Sequence, residues 1–198
     1  MNTALTKTGM GILSAGAIGS AGYGGYVYFS KDSFASKLGV SVLNLTSAEN
    51  KKEWEERIKE LTASQDKLDS SLDKTKVNTW DKLRDWCNAN KSSTFNKDDI
   101  KYKNFSAFCT WKIGDKTWDK KILATVNSDH ANWKTAHTAL KRKTKTELSK
   151  GLQKVWEATD SQNANKVAMH KWCTDAYKNT WTGDNDATLK EVKEYCKI

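Results

Sequence analysis

Two stretches decide the fold: WCNANKSSTFNKDDIKYKNFSAFC, residues 86–109, and WCTDAYKNTWTGDNDATLKEVKEYC, residues 172–196. Each opens on Trp-Cys (Trp86-Cys87, Trp172-Cys173) and closes on aromatic-Cys (Phe108-Cys109, Tyr195-Cys196). The cysteine spacings nearly agree, 22 residues from 87 to 109 and 23 from 173 to 196. Thr94-Phe95 and Thr180-Trp181 stand at the same distance from the opening Trp, and Lys112-Ile113 and Lys197-Ile198 follow the closing Cys.

The correspondence extends outward. Trp54 precedes Leu61 by the same step as Trp133 precedes Leu140, and Val77-Asn78-Thr79-Trp80-Asp81 loosely echoes Gln153-Lys154-Val155-Trp156-Glu157. These landmarks predict two divergent copies of one unit, over 48–114 and 128–198. The second carries roughly ten extra residues between Trp156 and Trp172. A linker over 31–47 precedes the first copy and a connector over 115–127 joins the two. The plainer alternative is a single helical domain with a periodic aromatic stripe.

The period inside each copy is helical. Trp54, Ile58, Leu61, Leu68 and Leu72 follow steps of three, four and seven, which predicts a long amphipathic helix over 47–76. Thr46 with Glu49 three positions on offers its capping box. Shorter helices are expected over 79–90, with Trp80, Leu83, Trp86 and Cys87 on one face, and over 100–111, stopped by Gly114. Asp186 or Thr188 caps a final helix. With 198 residues, nine Trp and no Pro, the chain suits an all-α fold without Pro-based turns.

Four cysteines allow three pairings, and spacing alone does not choose. Duplication favours Cys87 with Cys109 and Cys173 with Cys196, since a unit that once folded alone would close its own bond. Each bond would add about 3 kcal/mol in the chain-entropy picture and would place the body in an oxidising compartment. The opposing reading is four buried thiols in a cytosolic protein.

Between Lys7 and Lys31 the chain has no charge, and residues 8–30 are long enough to cross a bilayer core. Small residues recur at spacing four through 15–25, and Tyr23, Tyr26, Tyr28 and Phe29 cluster at the far end. Residues 1–30 therefore read first as an uncleaved signal anchor. A signal peptide cleaved near Ala15-Gly16-Ala17 and a Gly-rich tail are the alternatives.

The formal charge is +9, supplied almost wholly by lysine, with mean hydropathy −0.76. A Lys-rich, Asn-rich, Pro-free composition is also what an AT-rich genome encodes. The densest basic run, Lys141, Arg142, Lys143 and Lys145, is the candidate polyanion contact, weighed against a solvated helix face. Arg is scarce and the aromatics sit at core spacing, unlike a nucleic-acid reader.

No phosphate-loop, dinucleotide, nucleophile-elbow or zinc-protease string occurs. Asp184-Asn185-Asp186 opens like a calcium loop, but Leu189 and Tyr195 stand where its glycine and bidentate carboxylate belong. His137 falls on a helix seam and reads as a core or boundary residue. His170 lies one turn from Cys173, but Arg84 stands at its matching position, which argues against a metal ligand. No catalytic, cofactor or metal residue is expected.

A charge-free Gly/Ala-rich segment ending in Gly24-Gly25-Tyr26-Val27-Tyr28 leads into a Lys-rich, Trp-studded body with Trp-Cys and aromatic-Cys landmarks. That layout resembles the large paralogous families of uncharacterised proteins of haemotropic mycoplasmas. The resemblance implies a membrane-anchored or exported protein facing the host, with no catalytic residues to transfer. The expected role is surface display as an antigen or host-contact protein, not an enzyme. Its expected partners are the membrane and a host surface component or antibody. The 15–25 face or the 54–72 seam offers weak self-association. The alternative is an intracellular basic nucleic-acid-binding module.

Overall fold

The computed structural model describes residues 32–198. The anchor expected over 1–30 lies outside the described residues, within which no helix is long and apolar enough to cross a membrane. Among the described residues the fold is all-α. It contains eight α-helices: α1 (Phe34–Leu38), α2 (Lys51–Ala63), α3 (Trp80–Asn90), α4 (Ile100–Phe108), α5 (Ala131–Lys141), α6 (Lys150–Glu157), α7 (Ala164–Tyr177) and α8 (Ala187–Tyr195).

Two apolar cores form, one for each half of the chain. The first gathers Phe34, Leu43, Trp54, Leu61, Leu83 and Phe105 around Cys87 and Cys109. The second gathers Ile113, Ile122, Trp133, Leu140, Met169 and Val192 around Cys173 and Cys196. Cys87 is bonded to Cys109 and Cys173 to Cys196, with Cα atoms 5.8 and 5.9 Å apart. Each bond fastens the end of the last helix to the helix before it, α4 to α3 and α8 to α7.

The halves repeat the same hydrogen bonds. The Leu43 amide donates to the carbonyl of Cys109, and the Ile122 amide to that of Cys196, both at 3.0 Å. The Phe34 amide donates to Ser93 and that of Ile113 to Asn179. The Trp111 amide donates to Ser41 and that of Ile198 to Lys120. The isolated bridges also match: Ser33 with Thr94 and Lys112 with Thr180, then Val42 with Thr110 and Lys121 with Lys197. The side chain of Asp99 caps α4 and that of Asp186 caps α8. The buried indoles of Trp54 and Trp133 each donate to a carbonyl of the preceding loop, Asn44 and Asn127.

These pairings move the expected boundaries. Phe34 and Leu43 are buried, so 31–47 is no linker but opens the first half. Ile122 is buried likewise, so 115–127 opens the second half. The extended segment 110–113 serves both: Thr110 closes the first half against Val42, and Lys112 opens the second against Thr180.

The helix expected over 47–76 is shorter. It starts at Lys51 after Asn50, without the Thr46 box. Asn44 organises the preceding turn instead, its side-chain oxygen accepting from the amides of Thr46 and Ser47. The helix stops at Ala63, where Lys74 Nζ reaches the carbonyls of Thr62 and Ser64. Asp69 and Asp73 then accept from the amides of Ser71 and Thr75, local turns that compete with helix. Asn104 on α4 accepts from the Asp69 amide and holds this loop down. Leu72 is thus buried from a loop, and Leu68 half-buried. Trp54, Leu61 and Leu72 are consumed inside their own half, so the 54–72 seam is not a free association surface.

Three further expectations change. The helix from residue 100 ends at Phe108, before Gly114. Gly114 has a different duty: a Cβ there would lie 3.0 Å from Tyr177 Cβ and 3.1 Å from its carbonyl oxygen. Within 48–114 the first helix, α2, is the longest with 13 residues, but in the second half the longest is α7, with 14, and not the leading α5. The Trp80–Trp156 echo is not structural. Trp80 opens α3, whereas Trp156 ends α6, which has no helical counterpart in the loop between α2 and α3.

Replacing both Cys87 and Cys109 by Ala should cost the first half about 3 kcal/mol. Amide hydrogen exchange should show lost protection in α2, α3 and α4, with α5, α7 and α8 retained. Equal loss throughout would show that the two cores open as one.

Candidate functional site

The two halves meet across a groove of about 690 Å³. Arg57 on α2 forms one wall and is only 2% exposed. Its Nη2 lies 3.0 Å from Oδ1 of Asp115, its Nη1 reaches Oδ2 and the Thr110 carbonyl, and its Nε pairs with Glu60 at 3.1 Å. The other Asp115 contact is local, with Oδ2 accepting the Lys112 amide at 2.7 Å. One aspartate therefore turns the opening of the second half and holds an arginine of the first.

The equivalent turn of the first half carries no charge. Lys112 and Asp115 stand where the first half has the buried Ser33 and the exposed Ser36, a capping pair joined by reciprocal bonds of 3.0 and 3.2 Å. The second half keeps the turn but charges both positions. Lys112 is 8% exposed, and its Nζ donates to the Ser106 carbonyl at 3.3 Å. Burial, reinforced by the neighbouring Arg57, pushes its ammonium down to about 8, although Glu60 and Asp115 pull the other way. Burial also raises the Glu60 carboxyl, against the opposing pull of Arg57 and Lys112.

A second cluster adjoins it. The Lys116 ammonium sits between two indoles, 3.7 Å from the ring centroids of both Trp111 and Trp181. The first half holds the same arrangement in weaker form, with Lys37 over Phe95 at 5.2 Å and paired with Asp32 at 3.4 Å. Lys121 is tied to the carbonyls of Gly114 and Lys116 and lies over Trp118. Burial lowers both Lys116 and Lys121.

The candidate polyanion residues do not form a free basic face. Lys143 pairs with Glu194 at 2.6 Å and Lys145 with Glu157. Lys141 lies over the Trp156 ring at 3.4 Å and donates to its carbonyl. Arg142 lines a shallow depression with Lys134, and Lys134 itself pairs with Asp160.

The histidines have structural duties. His137 is buried with Nε2 3.0 Å from the Val155 carbonyl, and burial lowers its pKa. His130 caps α5 through Nδ1, and His170 packs edge-on against Trp133. Cys173 is bonded to Cys196, so it is no ligand beside His170. Among the described residues no cluster of His, Cys, Asp or Glu could hold a metal.

Arg57 and Asp115 carry no sequence motif of a site, and Lys112 shows in the sequence only as a landmark after the closing Cys. The one available signal was an arginine in a chain with three, set on the Trp54–Leu61 face. Comparison with protein-family models finds no match, and searches of curated proteins and of solved structures return none.

Asp115→Asn should destabilise the protein by about 3 kcal/mol, because it removes the buried countercharge of Arg57 and leaves only the half-exposed Glu60 carboxylate. Glu157→Gln, which breaks an exposed pair, should cost under about 1 kcal/mol; urea denaturation of both compares them. A third test uses pH. Unfolded, Lys112 holds its proton to 10.5; folded, it releases it near 8. Between those values the unfolded state binds more protons, so this group's contribution to stability rises with pH. The stability of wild type relative to Lys112→Met should therefore increase from about pH 8 to about pH 10.

Proposed function

We propose that the protein is a surface-displayed helical ectodomain, carried on the N-terminal segment over 1–30 as a single-pass anchor, with an antigenic or host-contact role. The observation that carries this reading is that all four cysteines are spent in two equivalently placed disulfides. Such bonds persist outside the cytosol. The anchor supplies the route out: residues 8–30 carry no charge and match a bilayer core in length. The two halves are read as divergent copies of one ancestral unit, and the layout resembles the paralogous families of haemotropic mycoplasmas.

The role is display rather than catalysis. The charged groups at the junction mostly bind one another, which suits a rigid body presenting variable surface. An intracellular nucleic-acid module would need basic groups free to release counterions. The pairing of Lys143 and Lys145 with carboxylates weighs against that rival.

Two measurements on native cells test the reading. Digestion and mass spectrometry without reduction should recover Cys87 linked to Cys109 and Cys173 to Cys196. Protease treatment of intact cells should release peptides from 48–198. Free thiols, or a body spared by protease, would overturn the external location.

A further inference from the structure

The Lys112 amine is the one feature of the groove that the fold does not require. Ser33 does its backbone work in the first half, also buried, with no amine at all. Its neighbours Lys116 and Lys121 are occupied, one between two indoles and the other by two carbonyls. Lys112 has a single 3.3 Å bond to the Ser106 carbonyl. It also lines two adjoining grooves, the one of about 690 Å³ and a neighbour of about 460 Å³, together with Glu60 and Lys178. A desolvated lysine beside a second cation is the arrangement that makes an amine nucleophilic, and Arg57 is that cation.

We propose that Lys112 is a covalent capture site for a small carbonyl compound bearing a carboxylate, held as an imine in the groove between the halves. The neutral Nζ adds to the carbonyl carbon, and the oxygen takes up a proton to give a carbinolamine. Nitrogen then loses a proton and its lone pair forms the C=N bond as the hydroxyl leaves, protonated, as water. The resulting iminium gives up its remaining N–H proton to the carboxylate that protonated the departing hydroxyl. Amine plus carbonyl thus gives imine plus water, with no oxidant or reductant. Glu60 faces both grooves and serves as the proton donor to the departing hydroxyl; burial favours its acid form. The preference for a carboxylate follows from charge. Lys52, Lys121 and Lys178 line the larger groove with Lys112, while its three carboxylates are engaged, Asp115 and Glu60 by Arg57 and Glu56 by Lys59.

The test uses the intact oxidised protein with glyoxylate, and separately acetaldehyde, each with cyanoborohydride at pH 7.5. Peptide mapping then compares Lys112 with the exposed Lys67 and Lys193. Lys112 should be alkylated about tenfold faster than either. Its larger share of free amine at this pH outweighs its lower basicity and restricted access. The advantage should be greater with glyoxylate than with acetaldehyde. Lys112→Ser, the first half's residue, should abolish fast labelling and leave the protein folded, with thermal unfolding at pH 7.5 no lower than wild type. Labelling of Lys112 no faster than Lys67 in the wild-type protein overturns the site, whatever the variant does. Equal advantage with the two probes overturns the carboxylate preference.

Discussion

Each half of this protein depends on a disulfide between its next-to-last helix, α3 or α7, and the residue that ends its last helix. The last helices, α4 and α8, have nine residues each, too short to persist alone in water. The bond holds each against the rest of its half. It also fixes the position of the cysteine carbonyl, which receives the amide of Leu43 or Ile122. The opening segment of each half is thereby laid against its closing segment. Phe34 and Ile113, next to those openings, are driven into the cores. In a chain so rich in charge, a core of this size needs such a cross-link.

The halves differ in α6, which only the second has, and in the positions where they touch. The backbone pairs, the aspartate caps of α4 and α8 and the buried Trp–Leu steps are common to both. At the opening positions Lys112 and Asp115 stand where the first half has Ser33 and Ser36, and Trp111 beside Lys116 where it has Asp32 beside Lys37. The same turn is made by hydroxyls in the first half and by an electrostatic joint in the second. Asp115 satisfies the local turn and countercharges Arg57 in one step, which makes a buried arginine tolerable. Segment 110–113 runs through both halves, so the joint is braced by backbone as well as charge.

The charge distribution bears on function. A formal +9 suggests a polyanion binder, but much of the basic surface is spent on intramolecular pairs with glutamate and aspartate or on indole faces. What remains is a stiff, disulfide-closed body with an unusual concentration of cations in the groove between its halves. That combination suits display outside the cell.

The residue pattern by itself determined the helical class, the cysteine landmarks, the Trp54–Leu61 and Trp133–Leu140 seams, α3, and a final helix capped at Asp186 or Thr188, of which the structure selects Asp186. These are local signals: side chains three, four or seven apart, and a capping residue directly before its helix. Only the tertiary structure decided where α2 stops, because Leu68 and Leu72 keep helical spacing while Asp69 and Asp73 fold the backbone into turns. Periodicity reports which residues are buried, not what backbone buries them. The same limit hid residues 31–47 and 115–127, whose buried Phe34, Leu43 and Ile122 are too sparse to show a period. It hid the joint as well. Arg57 and Asp115 are far apart in the chain, and a buried ion pair between distant residues leaves no local pattern; it exists only once folding excludes water from both.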